Sequence, residues 1–205
     1  MKKLIAMGLT VIMTAVAVCG CGSSDSGNDA KKSDSQTKQQ AVKVIDVDLT
    51  SEEYAFGVDK NKPELLTQVN DFIKEIKDNG TFDEICNKYF GGGNPTPVKS
   101  EKLDTSKDQL LVATNASFEP FEYMKGDSYY GIDMEIAAAL AKKLNKELVI
   151  QNMEFDSVCL SVGQHKSDVA MAGLTVKEDR KKYVNFSDTY YNAAQRLIVK
   201  GDSTE

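Results

Sequence analysis

The sequence predicts an α/β fold, a mostly parallel sheet with helices on both faces. Short apolar runs at residues 110–114, 148–150 and 168–172 have the length of buried strands. Stretches with helical spacing alternate with them, as in layered α/β folds. Asn115, Phe118 and Gly173 fall just beyond strand ends, where such sheets bind ligands.

The chain has 205 residues, 41% hydrophobic and 27% charged, which suits one globular domain plus tails. A net charge of −6 without a basic stripe argues against a nucleic-acid partner. His165 is the single histidine, so a histidine-rich metal site or a histidine-based triad has little to work with, and no phosphate loop or G-x-S-x-G is present. No metal, no cofactor and no catalytic residue is expected.

Met1-Lys2-Lys3 followed by an apolar run at 4–18 reads as a secretory signal, 1–20, too short for a membrane span. Gly20-Cys21 resembles the end of a bacterial lipobox, which makes Cys21 the lipidated residue and places the chain on the extracytoplasmic face of a cell membrane through a lipid anchor. A plain secreted protein is the alternative. Residues 21–41 are polar, lack aromatic residues and read as a disordered tether.

Residues 42–48 and 54–58 read as strands. Pro63 opens a helix whose Leu65, Leu66, Val69, Phe72, Ile73 and Ile76 form one apolar face. Gly80 stops it. Thr81 and Glu84 have capping-box spacing for a second helix, ended by Gly91-Gly92-Gly93. Residues 94–108, with Pro95 and Pro97, read as a linker between segments 42–93 and 109–200. A strand at 110–114, a helix at 133–144, a strand at 148–150 and a helix at 156–164 follow. Asp133 reads as a helix cap. Cys86 and Cys159 lie on apolar helix faces, either as small buried hydrophobes or as a disulfide.

The segment Asp168-Val169-Ala170-Met171-Ala172-Gly173-Leu174-Thr175-Val176-Lys177-Glu178-Asp179-Arg180 reads as a strand, a glycine turn and a short helix over 177–183 capped by Thr175. A helix N-terminus and an arginine fork both favour anions, so N–H groups at Gly173 and Thr175, the Thr175 hydroxyl and the Arg180 guanidinium make a candidate carboxylate clamp. An ordinary strand-to-helix turn is the competing reading.

This segment resembles the A-G-[ILMF]-T-x-x-x-x-R signature of the polar amino acid-binding proteins of ABC importers, solute-binding protein family 3. Residues 115–123, 130–136 and 184–191 resemble its other motifs, in the same order. Residues 50–91 resemble the family's C-terminal end, here placed ahead of the N-terminal motifs. The resemblance implies a periplasmic-binding-protein-like lobe 1 in circularly permuted order, with lobe 2 absent from this sequence. It implies Gly173, Thr175 and Arg180 on the ligand α-carboxylate, Phe118 and Phe155 as the aromatic sandwich and Asn115 as a further ligand contact. Glu122 and Asp188 would hold loops near the site. The implied partners are a polar amino acid and ABC transporter permease subunits. A non-transport sensor or interaction module, or a fragment lacking lobe 2, is the alternative.

Overall fold

The structure, a computed structural model, describes residues 42–201. The expected signal peptide, the whole of the expected tether and Cys21 lie outside the described residues.

The first segment contributes β1 (Val42–Val44), β2 (Glu52–Tyr54), β3 (Gly57–Asp59), α1 (Pro63–Asp78) and α2 (Thr81–Phe90). The second contributes β4 (Gln109–Thr114), β5 (Ser117–Phe118), β6 (Glu122–Lys125), β7 (Ser128–Tyr130), α3 (Ile132–Lys143), β8 (Glu147–Asn152), α4 (Phe155–Gly163), β9 (Val169–Ala170), β10 (Val184–Phe186), β11 (Tyr191–Ala193) and β12 (Ile198–Lys200).

The central sheet has the order β10-β3-β9-β4-β8. β4 runs parallel to β8 and β9, and β3 is antiparallel to both β9 and β10. Four of the five strands therefore point one way, and the reversed one, β3, comes from the first segment. It is inserted between β9 and β10, so the chain from 171 to 183 must cross over it. Two-stranded ladders β1-β12 and β2-β11, and a β5-β6-β7 meander, flank the sheet.

Side chains alternate across a strand, and here that alternation divides two cores. Val58, Leu110, Val112 and Val169 face α1, α2 and α3. Ala113 and Ala170 face α4 through Val158, Cys159 and Val162. Both chain segments thus share the larger core. Its apolar stripe on α1 is the predicted one, with Leu65, Val69, Phe72, Ile73 and Ile76 buried, and Pro63 stands at the helix start.

Several expectations are corrected. Gly80, at φ 82°, occupies the N-cap of α2, and Thr81 makes no side-chain cap. Only Asn79 and Gly80 separate the two helices, and the left-handed turn they need takes the cap position. Asp133 is the second residue of α3, behind an N-cap at Gly131, and is fully buried. Residues 177–183 form successive turns rather than a helix, because the crossover ties its start to β2: Val176 N–H donates to Glu53 O at 3.0 Å. Cys86 and Cys159 are free thiols on opposite faces of the sheet, which excludes their disulfide. Burial pushes the Cys86 thiol up to about 11. The linker is pinned along the second segment, with Val98 buried and its N–H donating to Tyr129 O at 2.8 Å.

Candidate functional site

A cleft of about 340 Å³ opens at the C-terminal ends of the parallel strands. All six residues singled out as ligand contacts line it: Asn115, Phe118, Phe155, Gly173, Thr175 and Arg180. The fold delivers them from three strand ends. Asn115 and Phe118 follow β4, Phe155 follows β8 and the other three lie on the crossover after β9.

Gly173 sits at φ 51°, and a Cβ there would come within 3.0 Å of the Phe118 ring. Glycine thus meets two demands, a left-handed backbone and close approach of an aromatic face. Phe118 stacks on Phe121 at 5.5 Å between centroids and stays 43% exposed; Phe155 stays 39% exposed. Apolar rings left this open present faces for a ligand.

The Arg180 guanidinium lies 5.0 Å from the Phe155 centroid and donates from Nη1 to Thr175 O at 2.8 Å. No carboxylate among the described residues pairs with it. The Thr175 N–H likewise has no acceptor among them, since the hydrogen bonds on either side are Ala55 N–H to Leu174 O and Val176 N–H to Glu53 O. The remaining clamp groups are already engaged. Gly173 N–H donates to Asp133 Oδ2 at 3.0 Å, and the Thr175 hydroxyl donates to Glu52 Oε2 at 3.1 Å. Asn115 Nδ2 donates to Met153 O at 2.8 Å, which holds its own loop.

Glu52, Tyr54, Gln195 and Glu122 also line the cleft, and the first three were not foreseen. Burial works against the Glu52 charge, but hydrogen bonds from Thr50, Thr175 and Gln195 and the nearby Lys177 outweigh it and hold its carboxyl below the usual range. Glu122 is different. It is 1% exposed, and its Oε2 has no hydrogen-bond partner, so it does not hold a loop as expected. Burial first, then the Asp133 charge, raise its proton affinity. Burial also raises that of Asp133, partly offset by the hydrogen bonds from Gly173 and from Tyr190 OH, the latter at 2.6 Å. Asp133 is therefore a strut between α3, the clamp and the segment before β11. Asp188 acts only through its backbone, its N–H donating to Asn70 Oδ1 at 2.9 Å.

His165 stands beyond α4 with Nδ1 2.9 Å from the Asp59 carboxylate, outside the cleft. Among the described residues no group of three His, Cys, Asp or Glu side chains could hold a metal, and no helix is long and apolar enough to cross a membrane.

The family model for bacterial extracellular solute-binding proteins, family 3, matches residues 10–92 and 110–205. The arginine-binding extracellular protein ArtP of Bacillus subtilis is 40% identical over 100 residues, 49% of this chain and 39% of that protein. The arginine-binding periplasmic protein of Mannheimia haemolytica is 34% identical over 101 residues, 48% of this chain and 42% of that protein. The chain thus spans about two fifths of the length of these curated relatives. Among solved structures, the arginine-bound form of domain 1 from TmArgBP is 33% identical, with a TM-score of 0.40, over 50% of this chain and 90% of that one. With its family model matched on either side of the 94–108 linker, the chain belongs to the bacterial extracellular solute-binding proteins, family 3.

Proposed function

We propose that the cleft binds a free amino acid with a cationic side chain, and that the chain serves as the binding component, or a lobe of one, of an ABC importer. The observation that carries this is Arg180, a guanidinium held in an open cleft with no carboxylate of its own. The ligand α-carboxylate takes its free donors together with the Thr175 N–H. Glu52, kept ionised beside Thr175, offers a partner to the α-ammonium. Phe118 and Phe155 flank the side chain, and Glu122 at the cleft wall faces its cationic end. The arginine-binding relatives support the ligand class.

The wider reading follows the resemblance. The first segment supplies β3, α1 and α2 to the sheet and core of the second, and the family match is broken at the linker, as a circularly permuted lobe 1 would require. Lipid anchoring at Cys21 would hold this lobe on the outer membrane face, where permease subunits could receive its ligand. Calorimetric titration of the full chain with arginine tests the binding site. Saturable binding that Arg180→Ala abolishes is expected, and unchanged affinity in Arg180→Ala would sink the assignment.

A further inference from the structure

We propose that the cleft exchanges a proton for the ligand's cationic group, with Glu122 as the site of exchange. This rests on the amino acid reading above. The geometric basis is a carboxyl group that lines the cleft, is 1% exposed and has one oxygen with no donor at all. A buried ionised carboxylate in that position would be left uncompensated, whereas the protonated acid is neutral.

The charged and titratable surroundings favour the protonated form before a ligand binds. From α3, Asp133 faces Glu122 and raises its proton affinity after burial does. From β2, Glu52 and Tyr54 share the cleft, the Tyr54 hydroxyl pushed up to about 12 by burial and by Glu52, Glu122 and Asp133. Tyr190, ahead of β11, is driven up by burial and by Asp133 and Glu122 among others. Among the described residues the cations near the cleft are Arg180, on the crossover and over Phe155, and Lys177, which acts on Glu52; neither is paired with Glu122. Two buried acids without a cation between them hold a proton.

Charge bookkeeping then separates ligand classes. A zwitterion with a neutral side chain is matched by Arg180 and Glu52, and Glu122 keeps its proton. A cationic side chain brings one further positive charge. Glu122–COOH then becomes Glu122–COO⁻ beside that cation, and the proton passes to water. No bond in the ligand changes. Asp133 is not the donor, since its carboxylate already accepts from Gly173 and Tyr190. Because a proton leaves on binding, affinity for the cationic ligand rises with pH, at most tenfold per pH unit.

The test is calorimetric titration of the full chain with arginine and with its neutral analogue citrulline, between pH 6 and 8, in buffers of different ionisation enthalpy. The expected result is release of about one proton per arginine, an arginine affinity that rises with pH and neither effect with citrulline. Glu122→Gln should lose the release and bring the preference for arginine over citrulline close to one. Arginine binding with no proton release and a flat pH profile overturns the proposal, as does a release that persists in Glu122→Gln. Failure of arginine to bind at all overturns the amino acid reading and this proposal with it.

Discussion

The two ends of the sheet treat charge in opposite ways. At the N-terminal ends of the parallel strands several charges have partners. Lys62 pairs with Asp168, Lys146 with Asp108 and Lys107 with Glu147. Asp168 also accepts the Leu111 N–H at 2.7 Å, tying the clamp strand's entry to β4. At the C-terminal ends, Arg180 lacks an acid and Glu122 lacks a donor. Unpaired charge is costly when buried. The contrast between a paired rim and an open one supports the ligand site proposed at the open end.

Arg180→Ala breaks this comparison most directly. A hydrogen bond to a charged group is worth about 1.5–3 kcal/mol, so arginine affinity should fall by roughly tenfold to more than a hundredfold. Thermal stability should hardly move, because no carboxylate loses its partner. A large loss of stability without loss of binding would mean that Arg180 is structural.

The opposite outcome is expected at the paired rim. Asp168→Ala removes the acceptor of Leu111 N–H and the partner of Lys62. Leaving a part-buried donor unsatisfied costs about 1–3 kcal/mol. The melting midpoint should drop by several degrees, at roughly 2–4 °C per kcal/mol for a chain this size. Arginine affinity of the folded protein should change less than twofold, and a tenfold change would show the two ends to be coupled.

Glu122→Gln sharpens the comparison through pH. The proton affinity of Glu122 is raised in the folded state above the unfolded value of about 4.3. The native state therefore holds more protons than the unfolded one throughout that window. Stability from this group is present in acid and declines as pH rises, by at most about 1.4 kcal/mol per pH unit. The variant cannot titrate there, so its melting midpoint should gain on the wild type between pH 5 and 8. A gap that is constant with pH would mean that Glu122 does not hold its proton.

Much of this was legible in the residues. The parallel strands, the apolar stripe of α1 and six of the residues that line the cleft were readable, because each is fixed by local pattern or by a motif. The hydroxyl and N–H partners were not. Gly173 N–H and Thr175 hydroxyl look free in the sequence, yet Asp133 and Glu52 reach them from 40 and 123 positions away. Glu52 and Gln195 gave no signal, since they meet only because β2 pairs with β11. The short β5-β6-β7 meander also escaped notice, its strands of two to four residues being too brief for a period to show. The helix expected at 177–183 failed for a tertiary reason, the tie of Val176 to β2 at its start.

The smallest effect expected is the most discriminating about the rim. Lys107 Nζ contacts both Glu147 oxygens, at 2.7 and 3.0 Å, with ideal charge pairing on paper. Yet the two side chains are 49% and 39% exposed. Exposed pairs trade Coulomb attraction against side-chain freedom and screening, and contribute little. Glu147 also keeps a second donor, Gln109 Nε2 at 3.1 Å, so removing Lys107 leaves its carboxylate both hydrated and bonded. Lys107→Ala should therefore lower the melting midpoint clearly less than Asp168→Ala does and leave arginine affinity and its proton release untouched. A loss as large as that of Asp168→Ala would show that the rim works as one cooperative charge network. In that case the contrast between the two ends would be one of cooperativity as well as pairing.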